Sequence, residues 1–343
     1  MFGVNTMKIT KPNYYKQFYC LAAACPDSCC HEWEVDIDDE TAHRYLALPG
    51  ALGDRLRQVL RREDGCWLMT IEAGRCPMWR QDGLCRIQAE LGHDSLSQVC
   101  REYPRLKQNY GDFQEWSLEL SCPEAARLIL TQDSGLTEYA TPETGSPDYD
   151  PQIMAALRQC REAALSYLDS GHHTVPETLA VLLLYAYEVQ TCLDGGEMPA
   201  FDPEKCLLDA KSYAGPADSD ALLDFFRQLE ILTDRWRTRL DAPSPVRWSN
   251  AFRPLIRYFV NRWWLQSVWD FDLVCRVKYM ISACILIRLL GGELTETCQL
   301  FSKEIENDPD NLDAIFDGAY SAPALTDINL LSLLFSESST ENL

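Results

Sequence analysis

An export signal, a membrane span and a surplus of basic residues are all missing from this chain of 343 residues. Its start, MFGVNTMKITKPNYYKQF, has no apolar leader core. The most apolar later run, Leu179 to Tyr187, falls well short of the roughly 18 residues that a spanning helix needs. The expectation is a cytoplasmic chain, neither secreted nor transmembrane. Lys and Arg number 31 against 52 Asp and Glu, a net charge of −21. Broad binding to a phosphate backbone depends on clustered cations that release counterions, so nucleic acid is not an expected partner. With 46% hydrophobic and 24% charged residues, the composition is that of a folded globular protein. The length suggests two domains, because single cores stop growing at about 250 to 300 residues.

Cysteine, by contrast, is plentiful and uneven. Of fifteen, nine lie in the first 122 residues, and Cys20, Cys25, Cys29 and Cys30 fall within YCLAAACPDSCCHEW. The six later ones (Cys160, Cys192, Cys206, Cys275, Cys284, Cys298) stand mostly alone in apolar helical contexts, where a thiol behaves as a small hydrophobe. A disulfide framework suits a small secreted chain and free core thiols show no spacing pattern, whereas this sequence reads CX4CX3CC, then CX8C in CPMWRQDGLC, then Cys100 and Cys122. Soft thiolates select zinc, copper(I) or iron–sulfur clusters, and four hold one zinc or one four-iron cluster. The CX2C pairs of zinc ribbons are absent and adjacent Cys29 and Cys30 strain against sharing one small ion, which leans toward a cluster; His31 and His93 keep zinc open.

Four ordered segments then carry a resemblance: MKITKPNYYKQFYC, CPDSCCHEWEVDID, GRCPMWRQDGLCRIQAELGHDSLSQVCREYPR and LELSCPEAARLIL. Together, over about residues 7 to 131, they resemble the flagellin lysine-N-methylase family, related to cysteine-rich domains described as zinc- or iron-chelating modules. A looser similarity continues through the aromatic-rich stretch RYFVNRWWLQSVWDFDLVCRVKYMISACILIRLL. The resemblance implies methyl transfer from S-adenosylmethionine to lysines of flagellin, with a cysteine-bound iron–sulfur cluster, of 4Fe-4S type, taking part and zinc as the alternative. It gives the ligand role to Cys20, Cys25, Cys29, Cys30, Cys76, Cys85, Cys100 and Cys122 as a pool. Cys66 stands outside the family-like segments.

The sequence lacks both the GxGxxG-like loop of a Rossmann-type methyltransferase and the CX3CX2C loop of radical S-adenosylmethionine enzymes. Catalytic and donor-binding residues are therefore unassigned. Displacement by lysine needs a neutral amine; Asp36, Asp38 and Tyr103 are conceivable helpers, with solvated acids and a packed tyrosine as the plainer reading. A non-catalytic metal-binding or redox-sensing module that recruits a partner, and an electron-transfer oxidoreductase, are the competing functions.

The expected architecture is mainly α: a metal-stapled cysteine-rich domain over 7–132, a linker over 133–152 rich in Pro, Gly, Ser and Thr, an all-helical domain over 153–320, and a partly loose tail over 321–343. DETAHRYLAL and AELGHDSLSQVCREYPR read as short helices. IMAALRQCREAALSYLDSG and PETLAVLLLYAYEVQTCLDGG read as long ones, with stops at glycine. Strand alternation is scarce. Between Arg247 and Leu290 seven basic residues meet two acids. Arg253, Arg257 and Arg262 are expected to share a face that docks flagellin, an anionic membrane surface or the donor's carboxylate and adenine, the alternative being the domain's own core.

Overall fold

The computed structural model describes residues 6–336. In chain order the strands are β1 Thr6–Pro12, β2 Val35–Ile37, β3 Leu60–Glu63, β4 Cys66–Met69, β5 Arg105–Asn109, β6 Phe113–Leu118 and β7 Leu136–Thr144. Helices of the first part are α1 Asp39–Ala47, α2 Gly50–Val59, α3 Arg86–Leu91, α4 Gln98–Glu102 and α5 Pro123–Thr131. Those that follow are α6 Pro151–Ser170, α7 Val175–Leu193, α8 Pro203–Tyr213, α9 Ser219–Arg227, α10 Asp234–Asp241, α11 Arg253–Trp263, α12 Ser267–Asp270, α13 Val274–Leu290, α14 Leu294–Phe301, α15 Pro309–Ser321 and α16 Asp327–Phe335. The fold is mainly α, and helices alone fill the described chain after β7.

The first part is more β-structured than its sequence suggests. A four-stranded sheet runs β5-β6-β1-β7, with β1 parallel to β6 and antiparallel to β7, and a small sheet runs β2-β4-β3. β3 and β4 join through Asp64-Gly65, both at positive φ, the turn whose twist matches a hairpin. β7 runs through the middle of the 133–152 stretch expected as a linker, because Lys8 to Pro12 of β1 pair with Ala140 to Leu136. Gly111 and Gly145 let the β5–β6 turn press against the chain leaving β7: a Cβ on Gly111 would meet the Ser146 carbonyl at 2.1 Å.

Two apolar cores result. The small one gathers Val35, Ile37, Tyr45, Leu56, Met69, Met78, Ile87 and Leu96. The large one takes Tyr14, Phe18, Leu118, Leu120 and α5 from the first part together with the later helices. At its centre α13 is buried over all its residues, which accommodates Arg276, Lys278 and Arg288 only because partners are built in. Arg276 makes a two-pronged contact with Asp270, and Lys278 reaches the Ala319 carbonyl and Asp327.

Local signals explain both hits and misses. Asp38 caps α1 by accepting from the Thr41 amide, and Gly171 ends α6 in the left-handed region. The single helix read over AELGHDSLSQVCREYPR is instead two. Gly92, at φ 88°, stops α3, and Ser97 starts α4 by accepting from the Cys100 amide. In the expected loose tail, DINLLSLLF forms α16 with Leu330 to Leu334 buried; the last residues, 337–343, lie outside the described part.

Candidate metal centre and a neighbouring cavity

The cysteine loop, residues 19–34, has little regular structure beyond a turn at Ala22–Ala24, so its shape comes from specific hydrogen bonds. The Cys76 amide donates to the Cys30 carbonyl at 2.8 Å, tying CPDSCC to RCP. The Cys30 amide meets Ser28 Oγ at 3.2 Å, and Trp33 Nε1 donates to the Cys29 carbonyl at 2.7 Å. The other thiols stand at element ends: Cys85 precedes α3, Cys100 lies in the single turn of α4, and Cys122 precedes Pro123 of α5. Chain segments far apart in sequence are thereby aimed at one place. Cys20, Cys25, Cys29, Cys30, Cys76, Cys85, Cys100 and Cys122 all line one cavity of about 420 Å³. Cys66 does not; it is exposed on β4. The six later cysteines sit on α6, α7, α8, α13 and α14, all but half-buried Cys192 being buried.

The thiols are not equivalent. Cys30 accepts hydrogen bonds from Cys29, Cys76 and Ser28, which hold its thiolate well below the ordinary thiol range. Its donors Cys29 and Cys76 are correspondingly pushed up. Burial raises Cys100 to about 11 and Cys122 to about 12, and also lifts Cys25 and Cys85. Cys29, Cys76, Cys85 and Cys100 interact with Cys30, Cys122 interacts with Cys25 and Cys20, and Cys29 also feels Cys20, so the eight thiols form one connected pool. Among the described residues no three of these sulfurs lie mutually within 4.8 Å. Zinc bonded to four thiolates at about 2.3 Å would bring them to about 3.8 Å.

Of the other residues singled out from sequence, His93 and Tyr103 line the cavity. His31 packs on Trp79 with ring centroids 5.6 Å apart, its buried Nε2 without a partner. Asp38 is spent on capping α1 and accepting from the Gln98 amide, and Asp36 is exposed on β2. Tyr103 is within 3.1 Å of Ser121 Oγ, which in turn donates to Glu119 at 3.2 Å; burial raises both the Tyr103 hydroxyl and the Glu119 carboxyl.

Sequence reading missed how the helices grip the cysteine loop. Ser302–Glu306 continues α14 as a π-turn, a distortion frequent at functional sites. It presents Lys303, 2% exposed, to Asp27 at 2.9 Å and Glu32 at 3.0 Å. Gln299 donates to Asp27 Oδ2 and to the Ser121 carbonyl. No local pattern announces these pairings, because the partners stand 276 and 271 residues apart.

A second cavity, of about 260 Å³, opens between the larger sheet and α11. Lys107, Arg161, Arg257 and Arg262 face it with Trp116, Tyr258 and Trp263. Asn261 Oδ1 there is buried and unpartnered. Glu115 alone among their carboxylate partners shares the lining; Glu102, Asp169 and Glu306 stand outside it. The expected docking face of Arg253, Arg257 and Arg262 does not form. Arg253 donates to the Leu168 and His173 carbonyls, Arg262 is enclosed by Tyr258 and Glu306, and Arg257, depressed by burial, pairs with Asp169. Among the described residues no helix is long and apolar enough to cross a membrane.

No protein-family model and no solved structure matches the chain. Among curated proteins, the flagellar biosynthetic protein FliU of Salmonella muenchen is 32% identical over 135 residues, which are 37% of this chain and 80% of that protein. The chain belongs to the flagellin lysine-N-methylase family. Other members are proteins named lysine-N-methylase from Salmonella typhimurium and Salmonella choleraesuis, each 31% identical over 135 residues. The segment shared with the family covers 34% of each of these two longer relatives.

Proposed function

We propose that this protein is a protein-lysine N-methyltransferase that modifies flagellin with S-adenosylmethionine and holds an iron–sulfur cluster in its cysteine cavity. The observation that carries the reading is the convergence of eight thiols from four separate segments on one cavity, in a chain whose relatives include lysine-N-methylases. A four-iron cube takes one thiolate on each corner iron and draws on more than one segment, which fits a pool of eight thiols in which no three crowd onto one small ion. Cys30, Cys76, Cys85 and Cys100 are the quartet we assign to it, since Cys76, Cys85 and Cys100 each interact with Cys30, with Cys29 next to them. The cluster would supply redox or structural chemistry there and staple the loop-rich first part of the chain.

The second cavity suits the methyl donor and the incoming lysine. Lys107 and Arg257 offer cations to a carboxylate, Trp116 and Trp263 offer rings to an adenine, and Asn261 Oδ1 offers an acceptor to an amine N–H. The donor would supply a methyl group already activated on a sulfonium. Burial beside cations disfavours an ammonium, so the cavity wall promotes the neutral amine that attacks. Label from methyl-tritiated S-adenosylmethionine, followed into purified flagellin under anaerobic conditions, tests the activity. Absorbance near about 400 nm, bleached by air, tests the cluster. A colourless protein that methylates in air with stoichiometric zinc overturns the cluster but leaves the transferase.

A further inference from the structure

The turn between α6 and α7 brings two adjacent histidines against the first turn of α8. His172 Nε2 lies 3.2 Å and His173 Nε2 3.5 Å from one oxygen, Oε1 of Glu204. One ligand atom from each of the three residues falls within 4.8 Å of the other two. The two rings meet edge to face, 4.6 Å between centroids. His173 is oriented from behind: the Tyr167 hydroxyl sits 2.8 Å from its Nδ1, leaving Nε2 toward Glu204. An imidazole whose second nitrogen is held by a neighbouring oxygen is in the arrangement that metal-binding histidines adopt.

The surrounding main chain is fixed as well. Arg253 donates to the Leu168 carbonyl at 2.7 Å and the His173 carbonyl at 2.5 Å, and the His172 amide donates to Ser170 Oγ. The His173 side chain is 11% exposed, whereas His172 and Glu204 are 67% and 69% exposed. The cluster therefore has one buried wall and a side open to water.

We propose that His172, His173 and Glu204 form a divalent-cation site of zinc-like preference, independent of the cysteine cavity. Two imidazoles and a carboxylate suit zinc and its first-row neighbours rather than magnesium or calcium, which prefer all-oxygen shells, or copper(I), which prefers sulfur. Three protein ligands leave a fourth position for water. A bound ion ties the α6–α7 turn to the start of α8 in place of the histidine–Glu204 contacts.

The test uses the full chain with its cysteine centre as isolated. It is dialysed against zinc chloride beside His172→Ala, Glu204→Gln and Cys100→Ser, and zinc and iron are measured by elemental analysis. Because His172 and Glu204 are largely exposed, the circular dichroism of their variants matches the parent. The parent carries one zinc more per chain than either site variant, with equal iron, and zinc raises the melting temperature of the parent but of neither site variant. Cys100→Ser keeps that zinc. Equal zinc in the parent and both site variants overturns the proposal, as does loss of the extra zinc in Cys100→Ser, which would place the ion among the thiols.

Discussion

Single thiols in this chain are sorted by what surrounds them. Cys30 accepts hydrogen bonds from two other cysteines, whereas Cys284 is enclosed by apolar helix neighbours that push its thiol up. Cys76→Ser and Cys100→Ser are therefore expected to lose most bound iron, while Cys66→Ser and Cys284→Ala keep it, as read by iron content per chain. Equal iron in all four variants would refute the division. Glu304 is a second residue with a measurable signature. Burial pushes its carboxyl up to about 7, with one oxygen taking the Leu232 amide and the other unpartnered. Between about pH 4.5 and 7 the native state then holds a proton that the unfolded chain has lost, so stability falls as pH rises through that window. Glu304→Gln should remove this dependence and stabilise the protein at pH 8 by up to about 3 kcal/mol, measured by urea unfolding at several pH values.

Among elements, the π-turn after α14 and the cysteine loop form a pair. Lys303 compensates Asp27 and Glu32, and removing one partner of a buried ion pair typically costs about 3 to 5 kcal/mol. With Glu32 40% exposed, Lys303→Ala is expected near the lower figure. Its mark is local: amide exchange over residues 19–34 accelerates while α13 stays protected. Unchanged exchange in the loop would show that the grip is not structural. The strand elements show why this part was hard to read from sequence. β1 finds its partners more than a hundred residues away in β6 and β7, so nothing local to it shows what it pairs with. The helices α6 and α7, by contrast, announce themselves through local periodicity and their glycine stops.

For the whole molecule, the eight thiols that line one cavity could be picked out by their spacing in the sequence, while their meeting place could not, because four segments must fold to build it. The arginines of 247–290 misled for a related reason. A count of charges along the chain cannot see that Glu306, Asp169 and Asp270 lie across from them. The two cores also predict an order of events. The small core around Leu56 and Met78 is thin and adjoins the cysteine cavity, whereas the large one unites the helices. Removing the metal should loosen residues 35–96 first, seen as selective proteolysis there with far-ultraviolet helicity largely retained; simultaneous loss of both cores would contradict it.

Methyl transfer itself gives the most direct test. Anaerobically purified parent and Asn261→Ala are incubated with methyl-labelled S-adenosylmethionine and purified flagellin, and label is followed into lysine by mass spectrometry. The parent should methylate flagellin lysines, and Asn261→Ala, with iron content and circular dichroism unchanged, should do so at least about tenfold more slowly, as expected when a positioning contact is lost. Iron-loaded parent that transfers no label to any flagellin lysine would contradict the assignment of this chain as a lysine methyltransferase.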